Sequence, residues 1–200
     1  MQHLYAGELK GEKAYHESLA ALRPKIRNMK PVAERRALTI SESYLVAPDY
    51  VESDGDNYTK GTWILHTLRY LIGDEAFFKS LRRMAYPDSN MEKITNGKQC
   101  RFASTDDYLA TVESITEKKL DWFFEVYFRR AQLPKLVSKT EGHKLLLQWE
   151  TPDHLPFPLP VTVQLGKEKK RIDMRDGKAE VIVPKNIQPV IDPDKWLLMD

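Results

Sequence analysis

The stretch 54–86, DGDNYTKGTWILHTLRYLIGDEAFFKSLRRMAY, carries two apolar helical periods that meet at a Gly-Asp pair. Ile64, Leu65, Leu68, Leu71 and Ile72 recur at i, i+1, i+4, i+7 and i+8, one continuous face at 100° per residue. Trp63, His66, Thr67 and Tyr70 form a neighbouring stripe. Gly73 suits a C-terminal cap and Asp74 the N-cap of a second helix. That helix repeats the pattern with Phe77, Phe78, Leu81, Met84 and Ala85. The stretch therefore predicts an αα-hairpin closed by Pro87.

The elements around it are read the same way. Ala14, Tyr15, Leu19, Leu22 and Ile26 predict a helix over 11–28, bent or ended by Pro24 and stopped at Asn28. Residues 30–53 carry no sustained period and read as an irregular connection. Residues 53–57, SDGDN, lack the alternating ligands and distal glutamate of a calcium loop and read as a turn. Residues 87–103 are polar, with a turn at Asn96-Gly97. Ser104 and Asp107 have capping-box spacing ahead of Tyr108, Leu109, Val112 and Ile115. Residues 120–128, LDWFFEVYF, are apolar almost all the way round and predict a short helix buried on most sides.

After Leu133-Pro134 the period changes from helical to alternating. Strands are expected at 144–150, 159–165, 170–175, 179–183, 190–191 and 196–199, with a hairpin turn at Asp176-Gly177. The expected fold class is α+β. An all-helical region, 1–133, is followed by a small antiparallel β-sandwich domain, 134–200.

Composition narrows the function classes. Thirty-one basic against 29 acidic residues leave a net charge of +2 and no basic face, so no nucleic-acid partner is expected. The run Lys167, Lys169, Lys170 and Arg171 reads as a solvated hairpin. No apolar run approaches the ~20 residues of a membrane span, so no membrane partner is expected. Cys100 is the only cysteine, which excludes an internal disulfide and a thiolate metal site. No two of His3, His16, His66, His143 and His154 are four apart, so H-E-x-x-H is absent and no metal ligands are assigned. His66, on the Trp/Tyr stripe, reads as a packed, hydrogen-bonded histidine. There is no G-x-S-x-G elbow, phosphate loop or dinucleotide fingerprint. Taken alone, the residues give a helical domain plus a β-sandwich with no self-sufficient active site.

One motif series reaches further. Asn57-Tyr58-Thr59-Lys60-Gly61-Thr62-Trp63 is followed by Ile72-Gly73-Asp74-Glu75-Ala76-Phe77-Phe78, Asp121-Trp122-Phe123-Phe124, Leu133-Pro134 and Ile191-Asp192-Pro193-Asp194-Lys195-Trp196. In this order the chain resembles zinc aminopeptidases of the aminopeptidase N family, the gluzincins, with their Y-x-K-G tetrad and G-D-E-x-F corner. The resemblance implies that 1–133 is the C-terminal part of a thermolysin-like catalytic domain. It implies that Tyr58 is catalytic: its phenol donates a hydrogen bond to the oxyanion formed when zinc-bound water attacks a peptide substrate. The alternative for Tyr58 is a helix-entry residue packing near Leu65. Lys60 is expected to be solvated or capping, and Gly61 to let backbones approach closely.

The family's H-E-x-x-H, its distal glutamate and its G-x-M-E-N segment are not in this sequence. The chain is therefore expected to begin just downstream of the metal site. Zinc belongs to the intact family enzyme; no cofactor is expected at a catalytic site here, and the chain alone is expected to be inactive. Apolar surface around Tyr58 and residues 1–28 is expected to be exposed and to drive self-association. The alternative reading is a non-catalytic helical plus β-sandwich module that binds a peptide or protein partner.

Overall fold

The computed structural model describes residues 2–33, 39, 56–98 and 100–200. The irregular connection expected over 30–53 lies largely outside them. Helices α1 (Gln2–Lys10) and α2 (Glu12–Ala20) meet at Gly11, whose φ of 85° a glycine adopts without a Cβ penalty. The helix expected over 11–28 is thus shorter. Pro24 has no N–H and its ring crowds the carbonyl four residues back, so α2 stops at Ala20 and the chain tightens into a 3₁₀ turn, Arg23–Lys25. Helix α1 escaped the sequence reading because it buries no residue and so carries no clear apolar face.

The hairpin of the opening stretch is α3 (Gly61–Ile72) and α4 (Asp74–Ala85). Gly73 ends one helix and caps the next. Asp74 is not the N-cap: it is the first helical residue, and its carboxylate accepts two 2.7 Å hydrogen bonds from Arg69. Helix α5 (Thr105–Thr116) opens on the expected capping box, with Ser104 N–H donating to Asp107 at 2.7 Å and Asp107 N–H donating back to Ser104 Oγ at 3.2 Å. Helix α6 (Asp121–Tyr127) buries Phe123, Phe124, Val126 and Tyr127, as its all-round apolarity predicts.

Two three-stranded antiparallel sheets follow. One has the order β1-β2-β5, from Lys135–Glu141, Lys144–Glu150 and Lys178–Ile182. The other has the order β4-β3-β6, from Glu168–Ile172, Val161–Leu165 and Val190–Ile191. Strand β1 was not among the expected strands, because this edge strand faces solvent almost throughout and lacks alternation. The turn at Gly166-Lys167 pairs Leu165 with Glu168, so β4 starts and ends earlier than 170–175. Asp176 and Gly177 both take positive φ, 50° and 74°, between the bridged Arg175 and Lys178. The basic run does lie on the β3–β4 hairpin, with Lys169 paired to Asp194 at 2.6 Å. Arg171 is engaged as well, lying over the Tyr70 ring at 4.4 Å and donating to the carbonyls of Tyr70 and Leu71.

The segment 196–199 is not a strand. Its backbone finds other partners. Trp196 and Leu197 N–H donate to the Asp192 carboxylate, each at 2.9 Å. Leu198 N–H donates to Thr67 Oγ1 at 3.0 Å, and Tyr127 OH donates to the Leu198 carbonyl at 2.6 Å. This segment stitches the strands to α3 and α6. Accordingly Ile64, Leu68, Phe123 and Tyr127 share one continuous core with Leu147, Trp149, Val161, Val163 and Leu198. The fold is α+β, a helical region followed by a small β part.

Candidate functional site

The first three residues of the Y-x-K-G tetrad, Tyr58, Thr59 and Lys60, lie in a single turn of π-helix, Asp56–Lys60, and Gly61 opens α3. Such turns are rare and are frequently found at functional sites. Tyr58 is 74% exposed, so its ring stands in solvent rather than in the core. Its carbonyl accepts a 2.6 Å hydrogen bond from Thr62 Oγ1, one helical turn on.

Lys60 departs from a solvated residue altogether: it is fully buried. Its ammonium donates to the carbonyl of Arg130 at 3.3 Å and to that of Ala131, just past the end of α6. A signal for this was present in the sequence. Lys60 precedes Ile64 and Leu68 by four and eight residues, so it lies on the same helical stripe, and all three are 0% exposed. Among the described residues, a Cβ at Gly61 would meet a side-chain carbon of Val32 at 3.7 Å, an ordinary contact rather than a close backbone approach.

Behind the turn, α3 carries an aromatic cluster. His66 is buried, stacked on Trp196 at 4.4 Å between centroids and edge-on to Tyr15, Trp63 and His16. Lys195 offers only a carbonyl oxygen, so His66 Nε2 carries the proton and donates to it at 3.2 Å. Nδ1 then accepts from Tyr15 OH at 2.8 Å. The expected packed histidine is what this cluster contains. Arg69 lies over the rings of Tyr15, Phe78 and Trp196, at 5.1, 5.3 and 5.8 Å.

Burial pushes the His66 imidazole down to about 3, with the charges of His16 and Arg69 acting in the same direction and the Lys195 carbonyl opposing. The folded value lies below the 6.5 of an unperturbed histidine. Between those values the unfolded chain binds a proton that the folded chain does not. This contribution to stability is therefore complete above pH 6.5 and declines as the pH falls towards 3. Lowering the pH from 7 to 4.5 should cost roughly 2–3 kcal/mol through this group. Urea unfolding at both pH values, compared between the wild-type chain and H66Q, measures the difference in slope; equal slopes would mean that His66 is not held neutral.

Among the described residues, no three His, Cys, Asp or Glu side chains gather closely enough to hold a metal ion. A groove of about 710 Å³ lies in the strand region, lined by Trp149, His154, Phe157, Asp176 and their neighbours. Tyr58 is not part of it. The candidate site thus consists of one exposed phenol on an anchored turn.

No protein-family model matches the chain, and no curated protein sequence matches it. Among solved structures it is similar to Legionella pneumophila aminopeptidase A in complex with aspartic acid, with a TM-score of 0.57 and 15% identity. The match covers 94% of this chain and 21% of that one, so the chain spans about a fifth of that protein's length. At this identity the likeness is one of fold: the chain has a peptidase-like fold.

Proposed function

We propose that this chain is a segment of a zinc aminopeptidase of the aminopeptidase N type, contributing Tyr58 as the oxyanion donor. The observation that carries the proposal is the exposure of Tyr58 on a turn whose next-but-one residue, Lys60, is wholly buried. A phenol presented in this way can reach a substrate bound outside the chain while its backbone stays fixed. The fold likeness to an aminopeptidase and the order of the motifs support the same reading.

In this proposal the peptide carbonyl becomes tetrahedral on attack, and the Tyr58 hydroxyl donates to the oxygen that gains charge. A donor aimed at developing charge lowers the barrier because that charge is greater in the transition state than in the substrate. Zinc supplies Lewis-acid chemistry in enzymes of this type. The described residues of this chain do not fit a zinc site, so the proposal assigns it no metal ligand. The exposed Tyr5, Leu9 and Met29 in the N-terminal helices and the turn after them offer apolar surface for packing against another polypeptide or a second copy.

The test is direct. The purified 200-residue chain, supplied with zinc, should release no chromophore from amino-acid anilides and should retain no stoichiometric zinc. Turnover with one bound zinc per chain would overturn the division of labour proposed here. A second reading, a non-catalytic module that binds a peptide or protein partner, is compatible with the lack of gathered metal ligands among the described residues. It predicts saturable peptide binding by the chain alone, unaffected by Y58F.

A further inference from the structure

We infer that Lys60 is a positioning residue for Tyr58: its buried ammonium fastens the π-turn to the chain beyond α6 and thereby fixes where the phenol stands. This rests on the proposed role of Tyr58 as oxyanion donor. The geometry is specific. A lysine placed for solubility would extend into water, yet Lys60 is 0% exposed and reaches the carbonyls of two consecutive residues, Arg130 and Ala131. Those carbonyls belong to a well-held segment. Arg130 pairs with Glu125 at 2.8 Å and with Asp153 at 2.9 Å, and the Phe128 carbonyl accepts from Ala33 N–H at 3.0 Å.

The anchor lies two residues from Tyr58 and at the last position of the π-turn. A π-turn is rare and occurs mostly as a single turn inside an α-helix, and here the buried ammonium ties its last residue to the carbonyls of Arg130 and Ala131. With the ammonium removed, the two carbonyls lose a charged donor and the turn can relax towards ordinary α-helix. That change would rotate Tyr58 about the helix axis, because one residue is taken from the turn. A donor must lie within about 0.5 Å of its productive place, so even a small rotation matters. The substrate carbonyl would thus be read by Tyr58 but registered by Lys60.

The experiment uses the chain itself and needs neither metal nor substrate. Hydrogen exchange is measured for the amides of 57–62. The ¹⁹F signal of Tyr58 is followed in fluorotyrosine-labelled protein, assigned among the nine tyrosines by its loss in Y58F. In K60M, exchange over 57–62 should rise on the order of 10- to 100-fold, the cost of losing a charged hydrogen bond. The Tyr58 signal should shift or broaden while the other tyrosines hold. A K60C/C100S chain, alkylated with 2-bromoethylamine under denaturing conditions and refolded, regains an ammonium at lysine length and should recover both readouts. Unchanged exchange and ¹⁹F signal, a rise spread evenly over the chain, failure of K60M to fold, or no recovery on aminoethylation would each overturn the inference. Kinetics of Y58F in a metal-bearing enzyme decide the donor role separately, so the two ideas can fail independently.

Discussion

In the peptidase proposed above, Y58F should lower kcat for an amino-acid anilide by about 10²–10³ and leave KM within a few-fold. The size follows from what the hydroxyl is proposed to do. It donates to an oxygen that carries full charge only at the tetrahedral stage, so its loss falls on the chemical step and not on substrate binding. The substitution removes one oxygen from a ring that is 74% exposed. Folding stability should therefore move by less than about 0.5 kcal/mol, as for most surface changes. Thermal unfolding of the variant separates the two effects. A loss of activity accompanied by a large fall in Tm would make Tyr58 a structural residue.

The largest effect on stability is expected from F123A, about 3–5 kcal/mol. Phe123 is 0% exposed and packs its ring against Tyr127 at 4.7 Å, Trp122 at 5.8 Å and Phe124 at 6.1 Å. These neighbours are large and rigid, so the site collapses poorly around an alanine and a cavity remains. The loss is a large part of the ~5–15 kcal/mol that holds an ordinary domain together. Helix α6 has only seven residues, but Tyr127 ties it to the Leu198 carbonyl and the core runs unbroken into both sheets. The helical and strand regions should consequently unfold together. Far-UV circular dichroism and tryptophan fluorescence should give coincident urea midpoints, both lowered in F123A. A cost below about 1 kcal/mol, or strands that outlive the helices, would contradict a shared core.

What could be read from the sequence follows the physical strength of each signal. The α3–α4 hairpin, the capping box at Ser104 and the buried α6 were legible because a helical face, a cap and an all-round apolar segment each leave a local mark. Helix α1 and strand β1 were not, because neither buries one regular face. The segment 196–199 alternates like a strand, but Asp192 and Thr67 take its backbone N–H groups, and their proximity is a tertiary fact. Tyr58 is a candidate through a motif, not a period. The burial of Lys60 could have been inferred from its place on the stripe of Ile64 and Leu68, but the charge of lysine argued for water. Its carbonyl partners at Arg130 and Ala131 are seventy residues away and left no mark near it.

The claim that Tyr58 meets an oxyanion is tested most directly by affinity, because affinity separates the transition state from the substrate. The intact enzyme of the proposal and its Y58F variant would be titrated with a phosphinate dipeptide, whose tetrahedral oxygen mimics the oxyanion, and with a product amino acid, which does not. The account predicts that Y58F weakens the phosphinate by about 10²–10³ and leaves the amino acid within a few-fold. Equal affinities of both proteins for the phosphinate would contradict it.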